Sequence, residues 1–318
     1  MFDRILVPLD GSSLAECVLP HVVALARPFD AHIILLRTVV CQHEGEQARA
    51  IDPLSWEMRK SEAEAYLAGV DSRLQEVGLQ AEQVVLEGKA AERIVEFAHS
   101  RDVDLIVLSS HGRGGLSRWN INSVVQKVIL RVYAPVLIVR AYETVAEDLG
   151  ELRYKRLMVP LDGSQRAEYV LPVATALAGS HECPLLLAHV VSRPTLLARA
   201  PLTEEEQELV ERLVDHNRGK AREYLDELDS RLSLDVESRL LVADHPAAEL
   251  HKLGEREEVD LVILSAHGQS GESQWPYGAT ALNFIAYGTT PLLIVQDVSQ
   301  EEARRTEAER AAREQGGH

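Results

Sequence analysis

Cysteine is scarce in this chain. There are three, Cys17, Cys41 and Cys183, and none belongs to a C-x-x-C pair. That leaves no disulfide framework and no zinc-ligand spacing, and it fits a reduced compartment. Long apolar runs are missing too, with no stretch near the ~18 residues that would span a bilayer. Met1 leads within three residues into the apolar run 4–9, so the expectation is no secretory leader, no membrane insertion and a cytoplasmic protein. Positive charge is in deficit, with Lys+Arg 33 against Asp+Glu 50 and a formal net charge of -17. This argues against a protein that works by neutralising nucleic-acid phosphates. A small phosphate ligand stays open, since one such site needs local N–H groups and a cation whatever the global balance. Much of the acidity falls in stretches expected to be solvent-facing helix, such as 203–212.

What is present is a pattern written twice. Residues 4–9 (RILVPL) form a short apolar run closed by Asp10, Gly11, Ser12 and Ser13, a turn with helix-capping chemistry. Residues 156–161 (RLMVPL) followed by Asp162, Gly163 and Ser164 repeat it, and Pro20 and Pro172 each follow their Asp by ten positions. The run 105–108 ends in Ser109, Ser110 and His111, then in Gly112, Arg113, Gly114 and Gly115, and 261–268 repeats the strand and the S-x-H-G turn. Gly112 to Pro135 and Gly268 to Pro291 span 23 positions each. Duplication is the economical explanation.

Between these landmarks, short apolar runs alternate with helical periods. In the first half strands are expected at 4–9, 31–40, 80–86, 103–109 and 134–140. Helices are expected at 14–27, where Pro20 kinks the helix or falls within a bent first half, and at 54–77, 90–100 and 123–133. In the second half strands are expected at 156–161, 185–191, 239–243, 259–264 and 291–295, with a long helix at 204–232. Alternation of this kind predicts βαβ crossovers and hence an α/β fold: two tandem, doubly wound, five-stranded parallel-sheet domains of the Rossmann-like kind. With 318 residues the chain has room for two cores. The expected organisation is a domain at 1–143, a linker at 144–154, a domain at 155–297 and a charged tail at 298–318. In such sheets ligands sit beyond the carboxyl ends of the strands at the switch point, which points to the loops after strands one and four. A glycine-rich loop there can aim backbone N–H groups at a phosphate.

With two D-G-S turns, two S-x-H-G loops and two closing strands P-V-L-I-V and P-L-L-I-V in order, the chain resembles a tandem universal stress protein of the UspA type. The resemblance implies a fold of the adenine-nucleotide α-hydrolase-like class and pairing through the fifth strands, as a homodimer or a pseudo-dimer within one chain. It also implies, for a subset of members, ATP or AMP as ligand, with Mg²⁺ as an optional companion. Nucleotide-binding members carry G-x-x-G, nine residues, then G followed by S or T. The matching positions here are Ser109, Gly112, Asn122 and Ser123 in the first half, and Ser265, Gly268, Gly278 and Ala279 in the second. Neither copy is complete.

A serine at 109 or 265 adds a Cβ but also a hydroxyl that can donate to phosphate, and Asn122 tolerates left-handed backbone. Ala279 removes a hydroxyl, and Gln269 stands where Arg113 offers a cation. The second site is therefore expected to be the weaker. By resemblance the first site would gather Pro8, Leu9, Asp10, Val39, Gly88, Ser109, His111, Gly112, Arg113, Gly114, Gly115, Asn122 and Ser123. The second would gather Asp162, Val190, Ser265, Gly268 and Gly278. An Asx turn or helix cap is the competing role for Asp10 and Asp162. No carboxylate or nucleophile stands beside His111 or His267 at a recognisable spacing, so no catalytic residue is assigned. The expected function is regulatory, with any ATP hydrolysis slow and incidental. The alternative is a stress scaffold without nucleotide, acting in dimerisation and partner binding. An enzyme of the nucleotide-hydrolase or nucleotidyl-transferase kind would want H-x-G-H or S-G-G-x-D-S after strand one, where this chain has DGSS and DGSQ.

Overall fold

The computed structural model describes residues 1–39, 53–111, 121, 123–141, 148–194, 203–269 and 276–297. Most of the glycine-rich loop (Gly112, Arg113, Gly114, Gly115), Asn122, part of the expected linker and the tail from 298 lie outside these residues. Two compact units emerge, Met1–Arg153 and Tyr154–Asp297.

The first unit runs β1 (Arg4–Pro8), a 3₁₀ turn (Ala15–Val18), α1 (Leu19–Phe29), β2 (His32–Val39), α2 (Pro53–Glu76), β3 (Ala81–Glu87), α3 (Ala90–Ser100), β4 (Leu105–Ser109), α4 (Ser123–Ile129) and β5 (Val136–Val139). Its sheet has the order β3-β2-β1-β4-β5, with every pair parallel. Helices on both faces require strands apolar on both sides. Accordingly β4 and β5 are buried along their whole length, and Ile5, Leu6 and Val7 of β1 are fully enclosed. Helix α2 is mostly polar, yet Ala63, Leu67, Val70 and Leu74, spaced at four, three and four, are buried and make one inward stripe.

The helix expected over 14–27 is instead two pieces. The 3₁₀ turn closes at Val18 and α1 starts afresh, with Pro20 in its first turn. There its missing N–H would have had no intrahelical partner and its fixed φ suits the helix start. The helix stops at Asp30 in the left-handed region, φ 50°.

The second unit follows the same plan: β6 (Leu157–Leu161), α5 (Gln165–Glu168), α6 (Leu171–His181), β7 (Leu185–Ser192), α7 (Glu204–Arg231), β8 (Val236–Ala243), α8 (Pro246–Arg256), β9 (Leu261–Ser265), α9 (Ala279–Tyr287) and β10 (Leu292–Val295). Its order is β10-β9-β6-β7-β8, again all parallel. Pro172 opens α6 as Pro20 opens α1, and Glu182 ends it at φ 54°. Strand β8 begins three residues earlier than the apolar run 239–243 suggests, because its half-buried start, Val236 to Ser238, is recruited by pairing with β7. The long helix α7 starts with a capping box in which Thr203 and Glu206 satisfy each other's main-chain N–H. Each unit also ties its first strand with one carboxylate. Asp104 Oδ2 accepts the N–H groups of Asp3 and Arg4, and Asp260 Oδ2 those of Lys155 and Arg156. Among the described residues no helix is long and apolar enough to cross a membrane.

Candidate functional site

In the first unit the sheet order puts β2 on one side of β1 and β4 on the other, so a crevice opens where the chain leaves β1 and β4. A pocket lies there. Pro8, Leu9 and Asp10 form one wall, Leu108, Ser109 and His111 another, and Leu36 and Thr38 of β2, Ala90 and Ile94 of α3, and Val124 and Val125 of α4 close it.

The Asp10 turn is built by its own side chains. Asp10 Oδ1 accepts from Ser12 N–H at 2.9 Å and from Ser12 Oγ at 2.6 Å, and Ser12 Oγ in turn accepts from Ala15 N–H at 3.2 Å. Gly11 is required here, since its φ of +80° is left-handed and a Cβ would stand 2.9 Å from the Arg37 guanidinium. The Asx-turn role and the pocket-lining role of Asp10 thus coexist.

Ser109 lines the pocket, but its hydroxyl is committed inward, 2.6 Å from His111 O and 3.0 Å from Leu14 O. What it leaves to a ligand is main chain rather than O–H. Cys17 Sγ lies 3.5 Å from the same hydroxyl, and burial raises the thiol pKa, the Ser109 contact opposing more weakly. That thiol is a poor nucleophile.

The register corrects one equivalence. Pro8 pairs with Leu36 and Pro160 with Ala188, so Thr38, not Val39, occupies in the first unit the place of Val190 in the second. Val39 is buried one residue beyond the pocket, and its carbonyl accepts Gly88 N–H at 3.1 Å. Gly88, at φ +130°, packs under Arg93 and supports that strand end rather than lining the pocket. Ser123 begins α4 with its side chain exposed, and the next two residues face the pocket.

In the second unit Asp162, Val190, Ser265, Gly268 and Gly278 all line one pocket, beside Leu161, Leu250, His267 and Thr280. Asp162 repeats the turn through Ser164, with its Oδ1 accepting from the N–H at 3.0 Å and from Oγ at 2.6 Å. Its other oxygen, Oδ2, accepts Gln269 N–H at 2.6 Å. A Cβ at Gly268 would collide with this carboxylate, so glycine is needed for the close approach. Gly278 caps α9 and donates to Ala266 O at 2.7 Å.

Two clusters were not anticipated. Behind the Asp10 turn, Glu16 Oε1 accepts from Tyr66 Oη at 3.0 Å and Oε2 from Arg73 at 2.6 Å, while Arg37 lies 4.8 Å over the Tyr66 ring. The second unit puts Glu168, Tyr224 and Arg231 at the matching positions, with His189 in place of Arg37, but Arg231 there stands 3.5 Å from Glu168 and Tyr224 Oη is buried without a hydrogen-bond partner among the described residues. Burial holds the His189 pKa below its ordinary value, against a weaker opposing pull from Asp162. Further on, His267 Nδ1 bonds Asp297 Oδ1 at 2.7 Å with both side chains buried, whereas His111 Nδ1 lies 3.0 Å from Ser110 Oγ. Superposing the two halves of the sequence would have exposed the exchange of Ser110 and Ala141 for Ala266 and Asp297. Among the described residues no three His, Cys, Asp or Glu side chains gather as a metal site.

The same family model, the universal stress protein family, matches residues 1–140 and again 153–296. Universal stress protein MJ0531 of Methanocaldococcus jannaschii is 33% identical over 141 residues, covering 44% of this chain and 83% of that protein. Universal stress protein YxiE of Bacillus subtilis is 32% identical over 155 residues, 44% of this chain and all (100%) of its own length. The crystal structure of a universal stress protein from Archaeoglobus fulgidus covers 93% of this chain and 98% of its own, with a TM-score of 0.66 at 17% identity, a likeness of fold. Two consecutive matches to one family model, on two units with the same strand order, make this chain a tandem member of the universal stress protein family.

Proposed function

We propose that the chain is a regulatory stress-response protein that binds an adenine nucleotide, ATP or AMP, mainly in its first unit. The observation that carries the reading is the pocket at the switch point, where Asp10 from the end of β1, the main chain at Ser109 and His111 from the end of β4, and the start of α4 face one another. An apolar side made by Leu36, Ile94 and Val125 suits a base, and Thr38 offers a hydroxyl beside it. Arg113 and the glycines at 112, 114 and 115 follow directly in sequence and supply the phosphate-binding composition that the family resemblance requires. If Mg²⁺ accompanies the nucleotide, Asp10 is the carboxylate at hand, and the remaining ligands come from phosphate and water, as is usual for this ion. The reading assigns no catalytic residue. His111 Nδ1 is engaged by Ser110, and the nearby thiol of Cys17 is held protonated.

Calorimetric titration of the purified full-length chain with ATP and Mg²⁺ tests this, after any copurified nucleotide has been excluded by denaturation and the absorbance of the supernatant. Heat that vanishes in Gly112→Val and in Thr38→Trp, and survives Gly268→Val, supports a working site in the first unit. No heat in the unmodified protein would sink the nucleotide reading in favour of a scaffold acting through partner binding.

A further inference from the structure

We propose that the pocket of the second unit is a site for an uncharged, hydroxyl-bearing ligand of the nucleoside class, with His267, held by Asp297, accepting a ligand O–H or N–H. The proposal rests on reading the crevice as a nucleotide-type site and adds which ligand class this copy selects.

The two halves differ at the pair of residues beside the loop histidine. In the first unit Ser110 Oγ accepts Ala141 N–H at 3.3 Å and its O–H can donate to His111 Nδ1 at 3.0 Å, an arrangement in which that ring's proton is on Nε2. In the second unit Ala266 and Asp297 stand at those two positions. A carboxylate can only accept, so the His267 proton sits on Nδ1, facing Asp297 Oδ1 at 2.7 Å. The other nitrogen then carries a lone pair. His267 is 5% exposed and lines the pocket, and among the described residues its Nε2 is buried without a partner. A buried acceptor of this kind is satisfied by a donor that a ligand brings.

The remaining polar groups of the pocket point the same way. Asp162 presents a carboxylate, and it has taken the Gln269 N–H that would otherwise face an anion. No Lys or Arg is among the described lining residues, and the nearest imidazole behind Asp162, His189, is kept neutral by burial. Ser265 Oγ, buried and without a partner among the described residues, lines the same pocket, whereas its counterpart Ser109 is tied to Leu14 and His111. A carboxylate and an imidazole lone pair repel phosphate and welcome hydroxyls. Leu161, Val190 and Leu250 supply an apolar side for a base.

The test is nitrogen NMR of the full-length chain labelled at histidine, with the His267 ring assigned through His267→Gln. The expected result is an Nδ1–H tautomer that shifts on titration with adenosine, and at least tenfold less readily with ATP, whether Mg²⁺ or a chelator is present. The double exchange Ala266→Ser with Asp297→Ala gives the second unit the first unit's pair. It should convert His267 to the Nε2–H tautomer and weaken the adenosine response at least tenfold. A His267 ring that carries Nε2–H in the unmodified protein, that ignores adenosine, or that answers ATP as readily as adenosine would overturn the proposal. Those three readings need only the unmodified protein and the His267→Gln assignment, so a double exchange that failed to fold would leave the proposal decided. Loss of ATP heat in the first unit with an intact adenosine response at His267 would count against the first-unit site alone.

Discussion

The phenol of Tyr66 donates to Glu16 Oε1 at 3.0 Å, fastening the middle of α2 to the 3₁₀ turn that follows the Asp10 loop. Tyr224 and Glu168 hold the equivalent positions in the second unit. Burial, reinforced by the Glu16 carboxylate, pushes the Tyr66 pKa up, so the hydroxyl stays a donor through the physiological range.

Replacing Tyr66 by Phe removes this bond while Arg73 keeps the other oxygen of Glu16 at 2.6 Å. The expected loss is about 1 kcal/mol, or roughly 2–4 °C in the melting of the first unit. Differential scanning calorimetry of the full chain measures it. A variant that melts with its parent would mean that the tie contributes nothing net.

Gly11 and Gly163 have nearly the same backbone, φ +80° and +82°, but different neighbours. Alanine at either position carries left-handed strain of about 1–2 kcal/mol. At 163 the nearest atom to an added Cβ is His189 Cε1 at 4.0 Å, while at 11 three guanidinium atoms of Arg37 stand at 2.9 Å. Gly11→Ala must therefore also dislodge Arg37 from the face of Tyr66, a further ~0.5–1 kcal/mol. Denaturant midpoints of the two variants should differ accordingly, and equal losses would refute the packing argument.

His21 on α1 gives the fold an acid sensitivity. Burial lowers its pKa to about 4 in the folded chain, against ~6.5 for an unperturbed histidine. Between those values the unfolded chain binds more protons than the folded one, so acid favours unfolding. The stability of the neutral ring is fully present above about pH 6.5 and is lost as pH falls toward 4. The second unit has Val173 at the matching place, buried on α6. His21→Val should flatten the decline of melting temperature between pH 7 and pH 5. An unchanged decline would assign the acid sensitivity elsewhere.

His189→Arg would give the second unit the permanent cation that Arg37 provides in the first. Placed over Tyr224 beside the Asp162 turn, the guanidinium should offset part of the carboxylate's repulsion of phosphate. ATP should then perturb the His267 resonance at about two- to fivefold lower concentration, the scale of a partly exposed ion-pair contribution. No gain would mean that the cation behind the turn does not reach the pocket.

Much of this was legible in the sequence because it is local or repeated. The D-G-S turns, the apolar runs of the inner strands and the interval from S-x-H-G to the fifth-strand proline determined two α/β units, and each polar turn marked the end of a strand at the switch point. Pro8, Leu9, Asp10, Ser109 and His111 meet in one pocket for that reason, as do Asp162, Val190, Ser265, Gly268 and Gly278. Other features depended on pairing between distant segments, which no local pattern encodes. Whether Thr38 or Val39 faces the crevice is set by the register of β2 on β1, since adjacent strand residues point to opposite faces. The inward commitment of the Ser109 hydroxyl depends on where the 3₁₀ turn carries Leu14. Asp297 reads in sequence as the polar end of an apolar strand. Only the packing of β10 beside β9 brings its carboxylate, 30 residues on, against the ring of His267 and decides which nitrogen holds the proton.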